Sequence, residues 1–199
     1  MNLILACDKG YGIGMQGSLP SWNLSDDMER FKQLTIGYGN NVIIMGKNTY
    51  LSLKKPLPRR VNVVISETLF EEHKENLAKD VSVIKYNGFM ICKTLKDALS
   101  YSQLLIFLDE KKGEIWIIGG AQLYEAVFEY ELKCLLFDND QEYVPIDKVY
   151  VTKVNQEFGC DTFLRDKTIR FIETCRWTNT ITKYKNNLEY TFYEYLYSK

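Results

Sequence analysis

Two adjacent acids, Asp26 and Asp27 in LPSWNLSDDMERF, stand where a helix is predicted to begin. With Ser25 as N-cap and about 100° per residue, Leu24, Met28, Phe31 and Leu34 form an apolar stripe. Asp27 shares that face through its i,i+4 and i,i+7 spacing to Phe31 and Leu34. Asp26 points away and is placed to pair with Arg30 four residues on. Two readings of Asp27 are open. It satisfies free N–H groups in the first turn, or its carboxyl, raised in pKa by apolar surroundings, handles a proton near neutral pH.

Three further constellations bear on ligands. VIIMGKNTY places Gly46, Lys47, Asn48 and Thr49 just after an apolar strand and at a helix start, which suits a phosphate or an ordinary strand-to-helix turn. IWIIGGAQLY repeats that arrangement with Gly119 and Gly120. LPRRVNVVIS puts Arg60 where it could hold a carboxylate bidentately. Gly12, Gly14 and Gly17 satisfy GxGxxG literally, but SLPSW follows in place of a helix, and no acid closes a second strand about 20 residues on. That segment therefore reads as a flap over a ligand or a plain surface turn. The single histidine, His73, and five cysteines without a CxxC pair supply neither a zinc cluster nor a Ser/His triad. Carboxylates, hydroxyls or a borrowed cofactor must carry the chemistry.

The elements that position these residues follow a rhythm. The apolar runs LILAC, NVIIMG, VNVVIS, VSVIKY and EIWIIGG alternate with the helical segments SDDMERFKQL, NTYLSL, TLKDALSYSQLL and AQLYEAVFEY. This is the pattern of an α/β fold, a doubly wound and mostly parallel central sheet flanked by helices. After Lys148 the runs KVYVTKV, FIETCRWTN and LEYTFYEYLY, the last preceded by a KNN turn, predict antiparallel strands on one edge. Glu67 to Lys79 and Glu129 to Pro145 carry many charges and read as surface excursions.

A chain of 199 residues with 46% hydrophobic content can bury one sizeable core, so residues 1–199 read as a single domain. The formal net charge of -1, with no dense run of Lys or Arg, argues against nucleic acid. Apolar runs such as VIIM fall far below the roughly 18 residues of a membrane span. MNLILACDKG lacks a basic leader and reads as a first strand, which points to a cytoplasmic protein without a membrane partner.

Taken in order, ILAC, GYGIGMQGSLPSWN, the step from Asp27 to Phe31, VIIMGKNTY, LPRRVNVVIS, IWIIGGAQLY, VYVTKV with GCDTF, and the final YTFYEY resemble the dihydrofolate reductase family from first strand to last. The resemblance implies hydride transfer from NADPH to C6 of dihydrofolate, with protonation at N5, giving tetrahydrofolate for one-carbon and thymidylate metabolism. It assigns Asp27 to the pterin's amidine-like edge, Thr152 to steadying that carboxylate, and Trp22 to the border of the same pocket. Ile4, Leu5, Leu19, Phe31, Leu53 and Leu57 would enclose the pterin and benzoyl rings, and Arg60 would take the α-carboxylate of the glutamate tail. Ile118 and Tyr124 would sit where that pocket meets the nicotinamide.

For NADPH the resemblance marks Ala6, Ile13, Gly14, Gly17 and Leu19, then Gly46, Lys47, Asn48, Thr49, Ser66 and Lys93. It adds Gly119, Gly120, Ala121, Gln122 and Leu123, the first two matching a cis glycine pair, and it implies no metal. Antifolate-type inhibitors, a monomeric state and association with a thymidylate synthase are further implications. Three departures from the family pattern matter. Ser21 opens the usual Pro-Trp, and Arg59 replaces a usual glycine, leaving two arginines for the tail with spacing favouring Arg60. Glu67 follows Ser66 where relatives often carry a small or basic residue near the 2′-phosphate, so the preference for NADPH over NADH is open.

Overall fold

The structure, a computed structural model, describes residues 1–74, 81–110, 112–137 and 144–196. Strand β1 (Asn2–Cys7) and a short β2 (Gly12–Gly14) precede helix α1 (Ser25–Ile36). Then come β3 (Val42–Gly46), α2 (Lys47–Ser52), β4 (Val61–Ile65), α3 (Glu67–His73), β5 (Val83–Tyr86), β6 (Phe89–Cys92) and α4 (Leu95–Leu108). The second half comprises β7 (Ile115–Ile117), α5 (Ala121–Phe137), β8 (Lys148–Val154), β9 (Thr162–Phe163), α6 (Asp166–Thr174), β10 (Asn179–Lys185) and β11 (Leu188–Leu196).

Nine strands form one sheet in the order β10-β11-β8-β1-β7-β3-β4-β6-β5. The six central strands run parallel, and β11 and β10 extend one edge antiparallel, as the sequence predicts. The opposite edge differs from the expectation: β5 and β6 form an antiparallel hairpin. Its turn is Asn87–Gly88, both in the left-handed region at φ 49° and 83°, which suits the right-handed twist of the flanking strands.

Apolar runs are continuous in the central strands because both faces of the sheet are covered; Val42 to Met45 are all fully buried. Successive side chains alternate between two cores. Leu3, Leu5, Ile44 and Ile117 pack with Leu99, Leu123, Tyr124 and Val127 of α4 and α5. Ile4, Ile43, Met45, Val64 and Trp116 pack on the other face with Phe31 and Leu34 of α1.

Several local expectations are corrected. Ser25 is the first helical residue and not the cap; Leu24 occupies that position with no side-chain bond. Met28 is 50% exposed, because α1 turns Asp27, Phe31 and Leu34 to the sheet and Met28 stands about 100° round the helix from Asp27. FIETCRWTN is not a strand: Asp166 to Thr174 is helical, burying Thr168 and Ile172 at i,i+4, and the edge strand begins only at Asn179. The charged stretch from Glu67 is a helix through His73 with Leu69 and Phe70 buried, and α5 runs through Phe137; residues 75–79 and 138–143 of those two stretches lie outside the described residues. The KNN turn is present, with Asn186 and Asn187 at φ 51° and 61°.

Candidate active site

The two acids at the head of α1 have opposite surroundings. Thr152 donates its hydroxyl to Asp27 Oδ1 at 2.6 Å. Thr152 is itself 2% exposed, held in the middle of β8 opposite Ala6 of β1 and Phe192 of β11. Burial raises the Asp27 carboxyl pKa, with the Thr152 bond and the Arg30 charge pulling the other way. Asp26 instead meets Lys183 and Lys185 of β10 at 3.2 and 2.9 Å, and those bonds lower its carboxyl to about 2. The expected pairing of Asp26 with Arg30 is not made. Arg30 reaches Glu194 at 2.8 Å and lies over the rings of Phe192 and Tyr150, because β11 offers an acid and an aromatic face within its reach.

One turn on from Asp27, Phe31 packs with Ile4, Leu53, Leu57 and Ile118 in a single cluster backed by Trp116 and Tyr150. Apolar residues from β1, α1, the α2–β4 segment and β7 thus converge beside one desolvated carboxyl. At the far end of α1, Arg60 donates Nη1 to Thr35 Oγ1 at 2.8 Å and Nε to the Pro58 carbonyl at 3.0 Å. Its guanidinium lies 6.0 Å from the Phe31 ring centre. Arg59, in the left-handed region at φ 59°, turns instead toward Gly39. Of the two arginines, Arg60 is therefore the one on the Phe31 side.

The glycine-rich segment is a pinned loop. β2 pairs with β9, and Gln16 N–H donates to Asp161 Oδ2 at 2.7 Å. Trp22 is buried edge-on against Phe158 at 5.6 Å, in a cluster that includes Ala6. Ile13 packs partly buried on the β1 side, whereas Leu19 is 63% exposed on the loop and Gly17 has open space around it.

At the carboxyl edge of the sheet, β3 and β7 end side by side. Gly46 N–H donates to the Gly119 carbonyl at 2.7 Å, and Ile118 N–H to the Ile44 carbonyl at 3.0 Å. Helices α2 and α5 therefore start next to each other, with first-turn N–H groups of Lys47, Asn48, Thr49, Ala121 and Gln122 near one edge. The Gly119–Gly120 peptide is cis. Gly119 has φ 112°, and a Cβ there would stand 3.0 Å from the Tyr124 hydroxyl, so only glycine fits. That hydroxyl donates to the Ile4 carbonyl at 2.7 Å, which ties α5 to β1 across the edge.

Beyond α2, Ser66 Oγ caps α3 by accepting from Leu69 N–H, and Lys47 Nζ donates to Thr68 Oγ1 at 2.8 Å. Lys93 is held between Glu67 at 3.3 Å and Glu71 at 3.1 Å.

Some of the sequence-predicted residues thus fall into two neighbouring groups, one around Asp27 and Phe31 and one around Gly46 and the paired glycines, whereas Leu19 and Gly17 stand on the outer loop and Lys93 lies with the acids of α3. Leu5 and Leu123 pack on the opposite face of the sheet from Ile4, and Tyr124 is enclosed beneath Gly119. Sequence reasoning gave no role to Thr35, Phe158 or Asp161. Thr35 was within reach of it, being four residues from Phe31 on the inward face. A cavity of about 920 Å³ lies at the other end of the sheet, lined by Met1, Asn2, Phe107 and Asp147, and gathers none of these groups. Among the described residues no cluster of His, Cys, Asp and Glu is placed to hold a metal ion, and no helix is long and apolar enough to cross a membrane.

The sequence is similar to those of known proteins. The sequence profile of the dihydrofolate reductase family matches residues 1–197. The dihydrofolate reductase of Drosophila melanogaster is 32% identical over 170 residues, covering 81% of this chain and 77% of that protein. The type 9 dihydrofolate reductase of Escherichia coli is 31% identical over 189 residues, covering 94% and 89%. A bifunctional dihydrofolate reductase-thymidylate synthase of Paramecium tetraurelia is 28% identical across 100% of this chain, which spans 34% of it. The chain belongs to the dihydrofolate reductase family.

Proposed function

We propose that Asp27 is the working acid of a dihydrofolate site and that NADPH is the hydride donor. The family's reaction, reduction of dihydrofolate to tetrahydrofolate with a nicotinamide cofactor, makes this chain an oxidoreductase. The observation that carries the assignment is a desolvated carboxyl, oriented by Thr152 and flanked by Phe31, on the sheet edge it shares with Gly119 and Gly120.

Asp27 accepts N–H bonds from the amidine-like edge of the pterin and so promotes protonation at N5, through an ordered water or a tautomer of the ring. Thr152 keeps the carboxyl turned toward that edge. Reduced nicotinamide, when bound, supplies the hydride to C6, so the C6=N5 bond becomes a single bond with the proton on nitrogen. Phe31, Ile4, Leu53, Leu57 and Ile118 hold the flat rings and exclude water, which sustains the raised pKa of Asp27. Trp22 borders the same pocket, and Arg60 receives the glutamate α-carboxylate.

The residues present fit the dinucleotide. Two adjacent helix starts and Lys47 offer donors to phosphates, and the Gly46 N–H bond to the Gly119 carbonyl holds the two starts side by side. Ser66 and Lys93 stand toward the 2′-phosphate, where Glu67 and Glu71 offset the lysine and narrow the preference for NADPH over NADH. The chain acts as one catalytic domain, a cytoplasmic monomer, and its product serves thymidylate synthesis, the activity joined to the reductase in the Paramecium protein.

The test is to mix purified protein with dihydrofolate and NADPH and follow the absorbance of the reduced cofactor. Oxidation dependent on both substrates is expected. Its absence, with NADPH still bound, would make the chain a catalytically silent binder.

A further inference from the structure

Asp8 is a carboxylate that this reaction does not use, and it is only 2% exposed. Its oxygens serve two loops far apart in sequence. Oδ1 accepts from Gly12 N–H at 2.7 Å, while Oδ2 accepts from Phe158 N–H at 3.1 Å and from Cys160 Sγ–H at 3.4 Å. The backbone of Asp8 adds a turn to the first loop, bonding Gly12 O at 2.9 Å and Tyr11 N–H at 3.1 Å. An enclosed carboxylate needs such donors, since none of its lone pairs can reach water.

The two loops lead to opposite walls of the site. Gly12 opens β2, which continues into Ile13 and Gly14 on the cofactor side. Phe158 holds the edge of Trp22 at 5.6 Å on the pterin side. We propose that Asp8 is a positioning residue. It fastens the Gly12–Trp22 loop to the 158–160 turn, so that Ile13 and Trp22 are presented together to cofactor and substrate. The inference rests on the dihydrofolate reductase reading above.

A carboxylate suits the role because it accepts at both ends. Asparagine of the same shape has one acceptor and would turn its amide donor against either Gly12 N–H or Phe158 N–H. Gly12→Ala breaks the same junction while leaving the carboxylate chemically intact, because the new Cβ would stand 2.4 Å from Cys160 Cβ, 2.5 Å from its sulfur and 3.0 Å from Asp8 Oδ2.

Asp8→Asn and Gly12→Ala are assayed as full chains beside the wild type. The readouts are kcat, both KM values, the pH profile, and NADPH dissociation measured by quenching of tryptophan fluorescence. Both variants are expected to raise the NADPH KM and Kd about tenfold, with kcat within about threefold and the pH limb set by Asp27 unmoved. Loss of folded protein alone would lower apparent kcat and leave KM and Kd where they were. Unchanged KM and Kd in Asp8→Asn would overturn the proposal and reduce Asp8 to a fold contact. Should that variant not fold, unchanged values in Gly12→Ala overturn it equally. Failure of the parent reading looks different, since the wild type itself would then oxidise no NADPH with dihydrofolate.

Discussion

Replacing each of the two adjacent acids by its amide separates chemistry from stability in a way the site dictates. Asp27→Asn keeps the volume and an oxygen to accept the Thr152 hydroxyl, so the geometry survives and only the proton-handling group is lost. General acid–base groups contribute about 10²- to 10⁴-fold, so kcat at neutral pH should fall by that factor, roughly 2.7–5.5 kcal/mol of barrier. Asp26→Asn removes a group engaged with Lys183 and Lys185 on the outer side and should leave kcat within about threefold. The stability effects run the other way. Burial raises the folded-state pKa of Asp27, so its contribution is complete below the ordinary carboxyl value of 3.8 and is lost as pH rises through the folded value. At neutral pH the charge is a burden, and Asp27→Asn should melt no lower than wild type. Asp26 is depressed to about 2; its contribution is present above 3.8 and is lost as pH falls toward 2. Asp26→Asn should therefore melt lower at neutral pH while remaining active. The assay is NADPH oxidation with saturating dihydrofolate, paired with thermal melts of each variant at pH 7. Equal losses of turnover in the two variants, or a melt of Asp27→Asn well below wild type, would refute the assignment of the inward carboxyl.

The other perturbations probe the partners of that carboxyl and the two ends of the cleft. Thr152→Val removes the hydrogen bond that lowers the Asp27 pKa, so the high-pH limb of kcat/KM should move to higher pH; an unmoved limb would mean that Asp27 does not set it. Arg60→Ala should raise the KM for dihydrofolate about 10²-fold while changing that for NADPH less than about twofold, the cost of charge-assisted bonds to one carboxylate. Comparable rises in both would make the arginine structural. Glu67→Arg frees Lys93 from one of its two acids and adds a cation, so the ratio of kcat/KM for NADPH over NADH should rise about tenfold. A constant ratio would place residue 67 away from the 2′-phosphate.

What sequence disclosed and what it hid divide along the range of the interactions. The parallel strands were legible because burial on both faces leaves only apolar residues, as at Val42 to Met45. The inward turn of Asp27 was legible because i,i+4 spacing to Phe31 is a property of one helix. The partner of Asp26 was not, since Lys183 and Lys185 lie 157 and 159 residues away and are delivered by an edge strand. Met28 misled because it lies at the margin of the stripe: the sheet meets the side of α1 that carries Asp27, Phe31 and Leu34, about 100° round the helix. Composition outweighed period at FIETCRWTN, where β-branched and aromatic residues suggested a strand but Thr168 and Ile172, one turn apart, seat a helix. The strand FMIC was missed although Asn87–Gly88 carried the turn signal for it.

The site itself depends on strand order, which no single segment encodes. β1 is followed in sequence by α1 and then β3, yet in the sheet β7 lies between β1 and β3. That insertion carries Gly119 and Gly120 from the middle of the chain into the gap between the strand behind Asp27 and the one ending at Gly46. The Tyr124 hydroxyl bond to Ile4 and the Gly46 bond to Gly119 then fasten both sides of the inserted strand. β8 does the same on the other flank, bringing Thr152 beside Ala6 and hence under Asp27. Each chemical group is supplied by a local pattern, but proximity of the acid to the glycines comes from two late strands entering on either side of the first. Ligands favour the carboxyl ends of parallel strands at such places because helix starts and loops diverge there and leave a crevice. The residues could be named from sequence; only the strand order explains why they stand at one edge of the sheet.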